Sequence, residues 1–284
     1  MKTLSEILTL STDYLKKKGI DRPKREVEEL LSYVLKMPRI ELYMNFDRPL
    51  VEEELAQLRE AVKRRGEGEP CPYIFGYVEF LECSIEVNRS VLIPRPETEI
   101  LVDRVIKELP EQPVEIWDIC TGSGCIGIAI KKKRPDCTVI LSDISKEALA
   151  VARKNGERNG ALVELLQGDL LAPFKGRRAD VVVCNPPYVS EQEYLTLDRE
   201  VRDWEPRGAL VAETSGYAFY HRMASELSSF LNPSAKVYFE IGCEMGSQVE
   251  NIFNSPCWAR QELSQDWSSR DRYYTLALES PIFP

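Results

Sequence analysis

Four consecutive residues, Asn185-Pro186-Pro187-Tyr188, close an apolar run, Val181-Val182-Val183-Cys184. Neither proline has an N–H to give a neighbouring strand, so a strand over this run must stop there in a stiff turn. In open α/β sheets, ligands bind outside the carboxyl ends of the strands. At such a rim Asn185 offers a side-chain carbonyl, Pro186 a main-chain carbonyl and Tyr188 a ring face. Two acceptors and one flat surface suit a planar group that carries an –NH2. The plainer alternative is a proline-rich loop that only closes a strand. Two upstream features weigh against it.

The first is Asp118-Ile119-Cys120-Thr121-Gly122-Ser123-Gly124-Cys125-Ile126-Gly127, set between an apolar run and a helical one. Small residues let a backbone approach a ligand, and a helix N-terminus presents free N–H groups. A turn of this kind is a candidate ligand site, though a glycine-rich turn alone is weak evidence. A dinucleotide turn fits this pattern. A P-loop does not, because Cys125 stands where Lys should follow the last Gly. The second feature is Asp143, in Leu141-Ser142-Asp143-Ile144, roughly 20 residues after the glycine turn. An acid at that spacing suits the two hydroxyls of a ribose; the alternative is a cap for the helix that begins at Ser145 and Lys146. Both NAD and S-adenosylmethionine present a ribose at this point. Only the Asn-Pro-Pro-Tyr turn separates the two.

These groups need a scaffold, and the chain patterns for one. Leu4, Ile7, Leu8, Tyr14 and Leu15 recur at helical spacing. So do Val27, Leu30, Leu31, Val34 and Leu35, and a further helix runs from Leu50 to Val62. A small helical bundle is expected over 1–70, serving either as a folding accessory or as a docking module for a macromolecular partner. Gly66-Glu67-Gly68-Glu69-Pro70 ends that pattern. Tyr73–Phe80 and Cys83–Asn88 then read as a hairpin linker within 71–92. Across 93–284 strand-like and helical runs alternate: 114–119, 126–133, 138–142, 146–159, 163–167, 180–184, 236–241, 248–253 and 273–278. Such alternation implies a parallel sheet covered by helices on both faces.

Composition excludes several chemistries. With one His among 284 residues, a multi-histidine metal site is ruled out and a His-centred triad is disfavoured. Eight Cys include no C-x-x-C pair, which fits reduced, mostly buried thiols. The net charge is −9; residues 1–80 carry 14 basic and 15 acidic side chains, which leaves −8 on the rest and argues against broad affinity for nucleic acid. No stretch nears the roughly 20 apolar residues that span a bilayer, and residues 1–19 do not read as a signal peptide, so the cytoplasm is expected.

In this order, the glycine turn, the ribose acid and Asn-Pro-Pro-Tyr resemble the class I S-adenosylmethionine-dependent methyltransferases that modify planar amino groups. Further segments narrow the likeness: Val91-Leu92-Ile93-Pro94-Arg95-Pro96-Glu97-Thr98-Glu99, Pro72-Tyr73-Ile74-Phe75-Gly76 with Phe80, Glu205-Pro206 with Ala209-Leu210, Phe239-Glu240-Ile241-Gly242, and Arg270-Asp271-Arg272. Over nearly its whole length the chain resembles the release factor glutamine methyltransferases, the HemK/PrmC family. The resemblance implies an α/β, Rossmann-like seven-stranded methyltransferase sheet with its last strand antiparallel, and a small N-terminal helical bundle joined by a β-hairpin. It implies methyl transfer from S-adenosyl-L-methionine, leaving S-adenosyl-L-homocysteine, to the side-chain nitrogen of the glutamine in the Gly-Gly-Gln loop of class 1 peptide chain release factors. No metal, membrane or nucleic-acid substrate is expected.

Carried onto this chain, the family pattern has Cys120 to Gly124 line the methionine part of the cofactor. Asp143 binds the ribose, Leu170 lies beside the adenine, and Arg95 to Glu99 close over the cofactor. Asn185, Pro186, Pro187 and Tyr188 hold the glutamine, with Asn185 also near the cofactor and Asn185, Pro186 and Tyr188 as the catalytic set. Three positions depart from the pattern. Cys120 replaces a Gly and would be strained at positive φ. Leu170 replaces an aromatic found in some relatives. Ala212-Glu213 replaces a paired glycine. Two rival functions stay open from sequence: a nucleic-acid aminomethyltransferase with the same Asn-Pro-Pro-Tyr chemistry, and a non-enzymatic adaptor that keeps the cofactor fold.

Overall fold

Thr3 begins the first helix with a reciprocal cap. Its hydroxyl accepts from Glu6 N (3.3 Å), and the Glu6 carboxylate accepts from Thr3 N (2.8 Å). The computed structural model of the chain describes residues 2–212 and 215–279. The helices are α1 Leu4–Lys17, α2 Pro23–Leu35, α3 Arg39–Met44, α4 Glu52–Gly66, α5 Cys71–Phe75, α6 Pro96–Glu108, α7 Cys125–Lys133, α8 Lys146–Arg158, α9 Glu191–Tyr194, α10 Arg199–Trp204, α11 Ala218–Glu226 and α12 Gly246–Ile252. The strands are β1 Tyr77–Phe80, β2 Cys83–Glu86, β3 Glu115–Ile119, β4 Thr138–Asp143, β5 Glu164–Gln167, β6 Ala179–Cys184, β7 Leu231–Glu240, β8 Trp258–Gln265 and β9 Asp271–Leu278. They form two compact units: Met1–Gly76 with Asp198–Trp204, and Tyr77–Leu197 with Glu205–Pro284.

In the first unit the apolar stripes meet as their spacing requires. Leu4, Leu8 and Leu15 of α1 join Val27, Leu30 and Leu31 of α2, and Leu55, Leu58 and Val62 of α4, in one core. Arg65 is buried among them, and its charge is met by Glu26 and by Glu200 of α10, each at 2.7 Å. A buried guanidinium without such partners would be strongly destabilising. The segment 198–204 is thus tied to helices far from it in sequence.

The second unit is built on a sheet in the order β5-β4-β3-β6-β7-β9-β8. All pairs are parallel except those of β9, which runs antiparallel to both β7 and β8. Alternation along the strands splits two layers. Trp117, Ile119, Val182, Cys184, Val237 and Phe239 share a core with Tyr220 and Met223 of α11 and Val249 of α12. The other face takes α6, α7 and α8. Gly127 of α7 lies so close to it that a Cβ there would stand 2.1 Å from Leu141 Cδ2, so only glycine lets this helix reach the sheet. The hairpin β1-β2 belongs to this unit: Asn155 and Asn159 of α8 accept from Glu86 N (2.6 Å) and Ser84 N (3.1 Å).

Three expectations are corrected. Residues 73–75 are helical, not strand, because Pro70 and Pro72 set up one turn of helix that Gly76 ends at φ +79°. The sheet is mixed, as the family resemblance implied and simple alternation did not. Strand β8 carried no signal, because Trp-Ala-Arg-Gln-Glu-Leu-Ser-Gln lies at the sheet edge, largely in water, and needs no apolar alternation.

Candidate active site

The glycine turn leaves β3 at its carboxyl end, between β4 and β6. Asp118 is fully buried on the α7 face of β3 and organises the turn from below. Its Oδ2 accepts from the Thr121 hydroxyl (2.5 Å) and from Gly127 N (2.9 Å). Its Oδ1 has no partner among the described residues. Burial pushes the carboxyl up to about 7. Gly124 caps α7 at φ +83°, a conformation that L side chains rarely adopt, and a Cβ there would meet Ile128 and Ala152.

Asp143 ends β4 and ties the two loops together. Its Oδ2 accepts from Gly122 N and its Oδ1 from Ser145 N, both at 2.9 Å, and its main-chain carbonyl accepts from Gly168 N at 3.0 Å. Both oxygens are thereby oriented. Burial raises the carboxyl above the usual aspartate range, and the backbone N–H bonds oppose that rise. The helix-cap alternative does not hold for Asp143, since Ser145 supplies the side chain that caps α8.

These loops wall a cavity of about 500 Å³ at the carboxyl rim, within the size range of small-molecule sites. Of the residues singled out from sequence, Cys120, Thr121, Gly122, Ser123, Asp143, Leu170, Asn185 and Pro187 line it, as do Arg95 and Thr98. Gly124, Pro186 and Tyr188 do not. Asn185 is half-buried on the wall of this cavity, and its side-chain amide makes no hydrogen bond to the described residues. Behind it, Tyr188 packs on the core. Burial, and then the charge of Glu240, push the Tyr188 hydroxyl up to about 12, while Arg272 and Arg95 pull the other way.

Sequence reasoning missed Arg222 and Phe219 as cavity residues. Both come from α11, and Arg222 pairs with Asp169 beside Leu170 at 2.6 Å. It also missed the Glu205 clamp. This buried carboxylate accepts from Ile93 N (3.0 Å) and pairs with Arg95, fixing the segment before α6 against 206–209. Only the position of Asp118, an acid inside an apolar strand, could have flagged its role. The positive φ anticipated at Cys120 is present, +60°, and Leu170, where none was anticipated, also has one, +50°. A left-handed conformation costs an L residue about 1–2 kcal/mol. Glu213, the third departure, lies outside the described residues. Among the described residues no group of three or more His, Cys, Asp or Glu could hold a metal ion, and no helix is long and apolar enough to cross a membrane.

Residues 6–76 match the model of the PrmC N-terminal domain, and residues 96–201 that of the methyltransferase small domain. A release factor glutamine methyltransferase of Chlamydia trachomatis is 39% identical over 276 residues, 96% of this chain and 93% of that protein. One from Geobacter sulfurreducens is 37% identical over 270 residues, 95% of each. A methyltransferase structure from Pyrococcus furiosus shares the fold at a TM-score of 0.50 and 18% identity, covering 69% of this chain and 89% of that one. With such identity sustained from one end to the other, the chain belongs to the release factor glutamine methyltransferase family.

Proposed function

We propose that the chain transfers a methyl group from S-adenosyl-L-methionine to N5 of the glutamine in the Gly-Gly-Gln loop of class 1 peptide chain release factors, and so modulates translation termination in the cytoplasm. The observation that carries this reading is that Asn185, the glycine turn and Asp143 line one cavity. The residues present fit the cofactor. Asp143 has oriented oxygens for a ribose, Leu170 and Phe219 give apolar walls for a base, and Cys120 to Gly124 give a close backbone for the methionine part. The bound cofactor supplies a methyl on a sulfonium, already a strong donor.

What the protein must add is alignment. An amide nitrogen is a poor nucleophile, because its lone pair is delocalised into the carbonyl. Asn185 Oδ1 accepts one amide hydrogen and the Pro186 carbonyl accepts the other. The nitrogen lone pair is then free to face the methyl. Two oxygen dipoles, fixed before reaction, meet the positive charge that develops on nitrogen. Holding the reactants in line supplies several kcal/mol, about 7–11 at most. Tyr188, packed on the core behind Asn185, anchors the turn that carries both acceptors. The proton leaves to water, and no metal takes part. The helical unit serves as the docking module for the release factor.

Labelled cofactor offered to purified release factor, to the same factor with its glutamine changed to alanine, and to DNA and RNA tests the reading. Label is expected on the unaltered release factor alone. Label on nucleic acid would replace the proposal by aminomethylation of a base, and no label anywhere would leave an adaptor.

A further inference from the structure

Glu205 does not line the cavity, yet its carboxylate joins two stretches of the cavity wall. The side chain is only 1% exposed. A carboxylate so buried is costly unless it is paired and hydrogen-bonded. Two groups from one segment meet it: Ile93 N donates to Oε2 at 3.0 Å, and the Arg95 guanidinium donates to Oε1. That segment, residues 90–98, puts Leu92, Pro94, Arg95 and Thr98 on the cavity. Next along the chain from Glu205, Pro206, Gly208 and Ala209 line the cavity too. One side chain thus holds together two parts of the wall that lie 110 positions apart in sequence.

The stretch after Glu205 is in turn bonded to the exit of the Asn-Pro-Pro-Tyr turn. Arg207–Ala209 form a single turn of 3-10 helix. Just beyond it the chain pairs with Val189, the residue after Tyr188. Val189 N donates to the Leu210 carbonyl, and Ala212 N donates to the Val189 carbonyl, both at 2.9 Å. Leu210 and Ala212 are buried, so these bonds are shielded from water. Further on, Gly216 passes so close that a Cβ there would stand 2.5 Å from the Tyr188 carbonyl oxygen. Pro186 and Pro187 carry fixed φ angles between this joint and Asn185, so a displacement of Val189 passes to Asn185 with little loss. A run of hydrogen bonds and stiff backbone therefore leads from Arg95, through Glu205 and residues 206–212, to the turn that carries Asn185 and the Pro186 carbonyl.

We propose that Glu205 is a positioning residue for methyl transfer: it latches the 90–98 wall of the cavity to the stretch that braces the Asn-Pro-Pro-Tyr turn, so that the cofactor and glutamine sites are set in one arrangement and each ligand favours the other. This rests on the methyl-transfer reading above and adds to it a residue off the cavity wall and a coupling between the two sites. Such coupling is reciprocal, because both ligands draw on the same arrangement of the wall. An ion pair that served only to hold the fold would change stability and leave untouched what one ligand does for the other.

The test uses the full chain as wild type, Glu205→Gln and Glu205→Asp. Calorimetry measures the Kd of release factor without and with saturating S-adenosyl-L-homocysteine. In the wild type the product should tighten release factor binding by about fivefold or more. Glu205→Gln keeps the size of the side chain and an oxygen for Ile93 N but loses the charge paired with Arg95. In this variant the tightening should fall below about twofold, while release factor binds the cofactor-free protein within about threefold of wild type. Its kcat should fall about tenfold, and its Kd for S-adenosyl-L-homocysteine alone should rise about fivefold. Glu205→Asp keeps the charge on an arm one methylene shorter, should retain an intermediate tightening, and decides the matter if Glu205→Gln fails to fold. Equal tightening in wild type and variants, or none in the wild type, would overturn the proposal and leave Glu205 a structural ion pair. Release factor that the wild type neither binds nor methylates would defeat the functional reading instead. The Kd for S-adenosyl-L-homocysteine would then still decide whether Glu205 latches the wall, and an unchanged value in Glu205→Gln would overturn that too.

Discussion

Replacing Asp143 is the sharpest test of how the cavity holds its cofactor. Its two oxygens already accept from Gly122 N and Ser145 N at 2.9 Å, each retains a second lone pair, and Asp143 lines the cavity. Hydrogen bonds to a charged group contribute about 1.5–3 kcal/mol each. Loss of two ribose contacts in Asp143→Ala therefore costs about 3–6 kcal/mol, or roughly 10²- to 10⁴-fold in affinity. Asp143→Asn is the more telling variant. An amide has one oxygen, yet two backbone N–H groups need one, so its –NH2 must face either Gly122 N or Ser145 N. One donor is left unsatisfied, at about 1–3 kcal/mol in stability, and the charge on the ribose is gone. Asparagine should thus behave much more like alanine than its shape suggests. Calorimetry with S-adenosylmethionine, and denaturant melts without it, measure the two costs separately. If Asp143→Asn binds within about threefold of wild type, the carboxylate does not hold the ribose. Since burial raises this carboxyl, affinity should also fall as pH drops through its elevated range.

Asn185→Ala should lower turnover by about 10²-fold or more, by analogy with the loss of one preorganised hydrogen-bonding dipole, while cofactor affinity falls far less; single-turnover assays beside calorimetry read both. At Cys120, held at φ +60°, Cys120→Gly trades relief of strain against a more flexible unfolded chain, so the urea midpoint should report a change within about 1 kcal/mol. Cys120→Val puts a β-branched side chain at that φ and should cost about 2 kcal/mol or more in the same measurement. Stability should fall as pH rises from about 4 to 7. Asp118 and Glu240 keep their protons in the folded protein up to about 7, whereas the unfolded chain gives them up near 3.8 and 4.5. Each contributes stability below its unfolded pKa that is lost as pH rises through 7, on the order of 3 kcal/mol. Glu240→Gln should flatten that slope in urea titrations at stepped pH; an unchanged slope would show that Glu240 titrates normally.

The chemistry-bearing parts were legible in the sequence because each is local. A glycine turn, two prolines and an acid at a strand end act within windows of ten residues or fewer, and their backbone consequences follow from steric limits alone. That is why the cavity wall includes Cys120, Asp143 and Asn185 at the places their spacing implied. The helices of the first unit were legible for a similar reason, since their apolar spacing is their packing surface. What only the tertiary structure decided depends on which distant segments become neighbours. The pairing of β7 with β9 sets Glu240 opposite Tyr273, and the Thr98 hydroxyl meets the Glu240 carboxyl across 142 positions of sequence, which no local pattern encodes. Glu205, 110 positions from Arg95, meets it in the same way. Strand β8 pairs through its backbone, which every residue shares, so its side chains carried no trace of it. The positive φ of Cys120 and Leu170 belongs with these, since tertiary contacts can hold a residue in a conformation that its own type disfavours.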